Sequence, residues 1–450
     1  MTPIAYMKRT LAGALPIFAL PIFALPICAM LMLALLAGCQ PKQDAAKPDA
    51  SVAPAPDATT LARLGRAMFF DVTLSASGRQ SCASCHDPDH GYGPPNRLAV
   101  QLGGPHLDRQ GRRATPGLAY TLNATPIWTH AQAASLTERL TETDNPPKGG
   151  LMWDGRFNSL HEQAGAPLLD PDEMANESRA AVVAKLAATA YAGDFRAAFG
   201  PDVFADVDRA FIAAMRALER FELDDPSFHR FDSKFDAYLD GKATLNAAEL
   251  RGLRLFADPE KGNCAACHLM DRRADGSHPL FTDFQFAAFG VPRNPEIAAN
   301  ADPAYFDQGL CGPKRTDKAD RVAYCGMFKT PTLRNTARRG AWFHNGRFHN
   351  LEDVVRFYVE RDLKPARWYP SNDKGQPVLY DDLPLEARRY VDHVDPPFDR
   401  QAGARPALND AEIRDVVAFL KTLDDGYAAP PNPTLSALST IGTVTSMRSR

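Results

Sequence analysis

The most reactive residues of the chain gather in two short segments, Cys82-Ala83-Ser84-Cys85-His86 and Cys264-Ala265-Ala266-Cys267-His268. Both fit C-x-x-C-H, the attachment sequence of c-type haem. The chemistry dictates the spacing. Two thiols one helical turn apart reach the two vinyl groups of one porphyrin, and the adjacent imidazole falls beneath the iron as its proximal ligand. C-x-x-C alone also serves zinc and thiol–disulfide chemistry, but two copies that both continue into histidine point to two covalently bound haem c groups.

Holding two such groups takes two scaffolds, and the sequence repeats to match. Gly65-Arg66-Ala67-Met68-Phe69 precedes the first motif and Gly252-Leu253-Arg254-Leu255-Phe256 the second, each closing a helix-like stretch. Downstream, Asp154-Gly155-Arg156-Phe157-Asn158-Ser159-Leu160 is echoed by Asn345-Gly346-Arg347-Phe348-His349-Asn350-Leu351. Two related haem domains in tandem follow, at 59–240 and 241–428. Asn246 with Glu249 and Asn409 with Glu412 have capping-box spacing. Ile413, Val416, Val417 and Leu420 make one apolar face, which predicts a helix over 410–423. Leu351, Val354, Val355 and Tyr358 make another, so Tyr358 points where its helix is buried. With 37 prolines against 30 glycines, the expected class is mainly α: two tandem cytochrome c-like haem domains, long loops and little β.

Composition bounds the rest. In 450 residues, 45% hydrophobic and 23% charged, there is apolar surface enough for packed cores, which excludes a disordered or collagen-like chain. Lys and Arg number 51 against 54 Asp and Glu, so no nucleic-acid partner is expected. Residues 1–38 open with Lys8 and Arg9, run through an apolar stretch with a threefold Leu-Pro-Ile echo, and end in Leu36-Ala37-Gly38 before Cys39. That is the anatomy of an export signal. The prolines, and the lack of a charged stop-transfer cluster, argue against a permanent membrane helix. Leu36-Ala37-Gly38-Cys39 resembles the lipobox of bacterial lipoproteins, so a lipid anchor at Cys39 and a periplasmic location at the outer membrane are expected. Residues 39–58 read as a flexible tether and 429–450 as a disordered tail. Export places the thiols in an oxidising space. There Cys311 and Cys325 are expected to form a disulfide closing a loop with Lys314, Arg315 and Asp317, two free buried thiols being the alternative.

Beyond the haem motifs, three further segments carry a family resemblance. Trp153-Asp154-Gly155-Arg156 is followed by Glu162-Gln163-Ala164 and Pro171-Asp172-Glu173-Met174, and later comes Phe328-Lys329-Thr330-Pro331-Thr332-Leu333-Arg334-Asn335. Over nearly all of 59–428 the chain resembles the bacterial di-haem cytochrome c peroxidase/MauG superfamily. The resemblance implies a five-coordinate, peroxide-reacting haem in the first domain, a six-coordinate electron-storing haem in the second, and a tryptophan between them. Arg361-Asp362, Trp368-Tyr369-Pro370 and Asp395-Pro396-Pro397-Phe398-Asp399-Arg400 look most like the MbnH-type branch. Members of that branch modify a tryptophan of a copper-binding partner protein.

Carried over position by position, His86 and His268 match the proximal iron ligands, and Cys82, Cys85, Cys264 and Cys267 the attachment sites. Glu173 matches the distal acid/base, which moves a proton between peroxide oxygens to promote O–O cleavage. Without the resemblance it reads as a solvated loop acid. Gln163 and Pro167 match distal-pocket positions, and Trp153 the tryptophan that couples the haems, otherwise a core aromatic. Tyr358 lies seven residues after the leucine of Gly-Arg-Phe-x-x-Leu, where the peroxidase branch carries a methionine ligand of the second haem. Here it is tyrosine, as in MauG. A phenolate is hard and anionic, so it favours oxidised iron and disfavours a simple electron relay. Met327 is the rival ligand, and a packed core tyrosine the plainer reading. His106 lies one residue out of register with the peroxidases' distal histidine and reads as a loop residue. The family's calcium-binding asparagine is replaced within Arg112-Arg113-Ala114-Thr115-Pro116, which argues against calcium because arginine cannot ligate a cation.

The expected function is a periplasmic di-haem oxidase/peroxidase. It reacts with hydrogen peroxide, stores two oxidising equivalents over both haems and oxidises a residue, a tryptophan, of an exported copper-binding partner. Trp342 and Trp368 are the candidate routes outward. A cytochrome c peroxidase drawing electrons from a small cytochrome or cupredoxin is the second reading, and a non-enzymatic di-haem electron-transfer cytochrome the third.

Overall fold

The computed structural model describes residues 56–120, 122–130 and 146–428. The expected signal peptide, Cys39, nearly all of the tether and the tail from 429 lie outside the described residues. In chain order the α-helices are α1 (Ala58–Phe69), α2 (Cys82–Cys85), α3 (Leu160–Leu169), α4 (Arg179–Ala187), α5 (Ala192–Phe199), α6 (Val207–Asp224), α7 (Lys234–Leu239), α8 (Ala247–Ala257), α9 (Leu351–Glu360) and α10 (Asp410–Leu420). Strands are minor among the described residues. β1 (Leu102–Gly103) pairs antiparallel with β2 (Arg109–Gln110), and β3 (Phe286–Ala287) with β4 (Phe328–Lys329), in the registers Leu102–Gln110 and Phe286–Lys329. The class is mainly α, as the proline-rich, helix-patterned sequence implies.

Each motif is backed by a helix pair, and the repeated glycines are where those pairs touch. α1 packs on α6 at Gly65, where a β-carbon would lie 1.9 Å from the Ala217 carbonyl oxygen. α8 packs on α10 at Gly252, where a β-carbon would lie 1.9 Å from the Asp415 carbonyl oxygen. Backbones can approach this closely only where no side chain intervenes. Both predicted capping boxes form, Asn246 with Glu249 and Asn409 with Glu412. The helix expected over 410–423 is α-helical to Leu420 and then tightens into a 3₁₀ turn, Lys421–Leu423.

The downstream repeat also has a structural meaning. Leu151 bridges to Phe157 and Trp342 to Phe348, each closing a tight reversal through a positive-φ glycine, Gly155 at 63° and Gly346 at 62°. Leu160 and Leu351 then open α3 and α9. Apolar side chains segregate around these pairs. One core gathers Phe69, Phe195, Phe211, Phe221 and Phe228, another Phe235, Phe256, Phe281, Val416 and Phe419, and a third Phe348, Phe357, Trp368 and Tyr380 beside Cys311 and Cys325. Phe235, on α7, packs in the second core although it precedes residue 241, and Leu280 packs in the first. The two halves therefore interleave where the sequence draws a line.

Candidate active site

One cavity of about 1210 Å³ is lined by both motifs, with Cys82, Cys85 and His86 from one and Cys264, Cys267 and His268 from the other. The same backbone turn presents each set: His86 N donates to the Cys82 carbonyl at 2.9 Å, His268 N to that of Cys264 at 2.8 Å. His86 Nδ1 lies 3.1 Å from the Tyr92 carbonyl oxygen and His268 Nδ1 2.9 Å from that of Phe281. A carbonyl at Nδ1 holds the proton there and leaves the Nε2 lone pair for a metal. Burial pushes both imidazoles down to about 4, so they are neutral at pH 7, as a ligand must be. Burial pushes the thiols up, Cys82 and Cys264 to about 12 and Cys85 to about 11. A redox-active C-x-x-C needs the opposite shift, and none of the four is in a disulfide. Two Cys-Cys-His sets facing one large cavity fit two c-type haem groups.

The first motif is faced by polar groups. Glu173, in the loop after α3, stands half-buried on the cavity wall with its carboxyl pushed up to about 7. Burial is the main cause, Asp170 adds to it, and Lys314 and Arg156 pull it back. Gln163 and Pro167, four residues apart on one face of α3, line the same cavity, and Gln163 Nε2 lies 3.8 Å from Met152 Sδ. Trp153 lines it too: its Nε1 donates to the Ala114 carbonyl at 2.8 Å, and its own carbonyl accepts from Lys329 N at 2.9 Å. Next to it, Arg113 donates to Asp154 at 2.7 Å and to Asp307 at 2.6 and 2.7 Å. A guanidinium thus ties together two buried carboxylates 153 residues apart in the chain. The expected disulfide joins Cys311 and Cys325. Its loop sends Lys314 to an ion pair with Asp170, and Arg315 Nη1 to the Asp154 carbonyl at 2.8 Å.

The second motif is faced by rings, with the carboxylates of Asp283, Asp392 and Asp395 also on the wall and acting on Cys267. Tyr358, on α9, lines the cavity with Phe289, Phe343 and Phe398 at centroid distances of 5.5, 5.7 and 5.7 Å. Burial, with the Cys264 and Cys267 thiols adding, pushes its phenol well above the ordinary range. Its hydroxyl has no hydrogen-bond partner among the described residues. Met327 lines the cavity as well, whereas His106 is exposed and does not. Trp342 lines the cavity, and its Nε1 donates to the Thr336 carbonyl at 3.1 Å. Trp368 stands off it, packed on Phe348 and Phe357 at 5.8 and 5.6 Å, on a separate recess with Arg347, His349 and Arg367.

Sequence reasoning passed over several cavity-lining groups, among them Glu222, Lys329 and Arg339. Glu222 is buried on α6, its Oε2 unpartnered, and is pushed up to about 8 by burial and by Glu219. The available signal was a carboxylate four residues after Leu218 on an apolar helix face. Burial pulls the Lys329 ammonium down to about 8, and its Nζ donates to the Gly150 carbonyl at 2.5 Å. Arg339, half-buried, is the third. No periodicity marks Lys329 or Arg339: the first sits on β4, a strand of two residues and too short to show one, and a loop brings the second to the wall.

Known proteins share this arrangement. The family model described as di-haem cytochrome c peroxidase matches residues 59–244. The methylamine utilization protein MauG of Paracoccus denitrificans is 34% identical over 389 residues, which is 84% of this chain and 91% of that one. The cytochrome c551 peroxidase of Nitrosomonas europaea is 31% identical over 302 residues, 67% and 73% of the two chains. Among solved structures, the diheme peroxidase BthA from Burkholderia thailandensis E264 aligns with a TM-score of 0.72 at 38% identity, covering 84% of this chain and 89% of that one. A MauG-like protein associated with microbial copper homeostasis aligns with a TM-score of 0.54 at 25% identity, covering 86% and 98%. With cavity, paired motifs and relatives in agreement, the chain belongs to the di-haem cytochrome c peroxidase/MauG family and is a haem-dependent oxidoreductase.

Proposed function

We propose that this chain carries one c-type haem on each C-x-x-C-H motif and uses hydrogen peroxide, in the periplasm, to oxidise a residue of a partner protein. The tandem division at 59–240 and 241–428 and the lipid anchor at Cys39 belong to the same reading. The observation that carries it is Tyr358: a phenol on the cavity wall beside Cys264 and Cys267, packed against three aromatic rings. When bound, the haems supply redox-active iron. Cys82 and Cys85, and Cys264 and Cys267, would hold the rings, with His86 and His268 as proximal ligands. At about 7, Glu173 can both take up and release a proton near neutral pH, so it can accept one from the near peroxide oxygen and return it to the far one. Gln163, on the same wall, offers an amide to orient the peroxide. Trp153, pinned at both its ring nitrogen and its carbonyl, couples the two motifs. Peroxide takes up two electrons and two protons and becomes two waters; the partner's tryptophan gives up the two electrons and, on taking an oxygen from water, releases the two protons. A tyrosine where a methionine would favour reduced iron supports storing oxidising equivalents over relaying electrons.

The second reading, a peroxidase fed by a small cytochrome or cupredoxin, is favoured by the likeness to BthA and to the cytochrome c551 peroxidase. Mass spectrometry separates the two. Incubated with hydrogen peroxide and this protein, an exported copper-binding partner should gain oxygen on a tryptophan. Rapid oxidation of a reduced small cytochrome, with no mass added to the partner, would establish the peroxidase reading instead.

A further inference from the structure

We infer that Arg339 is an anchor for the carboxylate substituents of the group held at the first motif, reaching it from the second half of the chain. The inference rests on reading that motif as a haem site. Most cations of the cavity wall already face a carboxylate: Arg112 faces Asp172, Arg113 faces Asp154 and Asp307, Arg156 faces Asp154, Lys314 faces Asp170 and Arg334 faces Asp236. Lys329 and Arg339 do not, among the described residues. The charge of Asp154 still reaches Lys329, but on Arg339 only burial acts, pulling its guanidinium down to about 10.

Arg339 sits on the His86 side of the cavity. Its Nη2 donates to the Thr115 carbonyl at 2.8 Å and its Nε to that of Ala341 at 3.3 Å. Its Nη1 lies 3.7 Å from where a β-carbon on Gly93 would stand. A guanidinium carries five N–H donors in a fixed fork, so charge and donors remain uncommitted at the cavity edge. A cation drawn this far from water without a counter-charge is costly, and the matching ligand is a carboxylate held bidentately. A haem covalently held at Cys82 and Cys85 brings two carboxylates of its own, so no other anion need be supplied. The neighbours of Arg339 also cross between the halves: Arg338 Nη1 donates to the Asp89 carbonyl at 3.2 Å, and a β-carbon on Gly340 would meet Arg97 Cα at 2.6 Å. Filling the first site therefore fastens the second half onto it.

The test is a thermodynamic cycle on the full chain. Arg339→Gln and Arg339→Lys are compared by thermal melting in the haem-loaded protein and in a Cys82→Ala/Cys85→Ala background that attaches no haem at the first site. In the loaded protein Arg339→Gln should lower Tm, and Arg339→Lys, which keeps the charge but not the fork, should restore only part of the loss. Without the first haem, Arg339→Gln should leave Tm unchanged or raise it, since an uncompensated cation has been removed. Equal losses in both backgrounds would show that the side chain acts only through its two carbonyl bonds, and would overturn the proposal. Should the double cysteine variant fail to fold, a redox titration of the loaded protein decides. Removing a cation that stabilises the reduced state should move the first haem's midpoint to a more negative value and leave the second in place, and an unmoved midpoint overturns the proposal. A haemochrome assay showing no haem at the first motif of the unaltered protein would sink the site reading itself, a result distinct from either failure of Arg339.

Discussion

Around His86 the cavity wall offers Glu173, Glu222, Gln163 and the indole of Trp153; around His268 it offers Tyr358 among Phe289, Phe343 and Phe398. The imidazoles themselves are prepared alike. Each follows the same backbone turn, each has a carbonyl at Nδ1, and burial pulls each down to about 4. Repetition is kept at the Cys-Cys-His turns and lost on the walls that face them. A carboxyl near 7 can move protons during bond cleavage. The phenol of Tyr358 packs among rings, while Asp283, Asp392 and Asp395 act on the neighbouring Cys267, so that wall differs by its aromatic box and not by a lack of acids.

The most direct way to break this contrast is Glu173→Gln, nearly isosteric but unable to exchange a proton. It should slow peroxide-driven oxidation by about 10²–10⁴ in stopped-flow measurements, with haem content and fold retained. The ionised carboxylate is the form that accepts the proton, so the unaltered protein's rate should climb as pH rises through about 7, and the variant should lose that limb. Unchanged kinetics would return Glu173 to a solvated loop acid and leave Glu222 as the titratable group of the polar wall.

The next test acts on the aromatic side. Tyr358→Phe should alter the visible spectrum of the second haem while sparing the first. Tyr358→Met should raise the second haem's potential and introduce a ferric–methionine charge-transfer band, since axial ligand identity sets both. If Tyr358→Phe changes nothing and Met327→Ala does, the ligand is Met327.

How far this contrast was legible in the sequence depended on distance along the chain. Residues held by local covalent geometry announced themselves. C-x-x-C-H spacing marks the two Cys-Cys-His sets that line the cavity, the boxes at Asn246 and Asn409 start the helices that the structure has, and the face of Leu351, Val354 and Val355 places Tyr358 inward. The glycine echoes at Gly65 and Gly252 turned out to mark helix contacts. Pairings across the chain left no such trace. Arg113 finds Asp307, Lys314 finds Asp170, and Arg339 finds the carbonyl of Thr115 through loops whose course no periodicity records. Phe235 joins the second core for the same reason, since an apolar residue near a boundary does not say which core it enters.

The smallest effect is expected from Lys314, and it probes how the disulfide-closed loop tunes the polar site. Lys314 pairs with Asp170, and it pulls the Glu173 carboxyl down against burial and the Asp170 charge. Lys314→Ala removes that attraction and leaves Asp170 uncompensated, and both changes raise Glu173. The pH at which the peroxide reaction gains its base should therefore move upward, by about one unit or less, because the cation acts partly through Asp170. At pH 7 the variant should be slower by no more than about tenfold, as one unit is 1.36 kcal/mol, and at higher pH its rate should rejoin that of the unaltered protein. Cys311→Ser with Cys325→Ser, which frees the loop, should shift the limb in the same direction by a smaller amount. A limb that stays in place in Lys314→Ala, in a protein where Glu173→Gln abolishes it, would mean that the loop braces the fold without setting the acid, and that burial with Asp170 and Arg156 poises the polar wall.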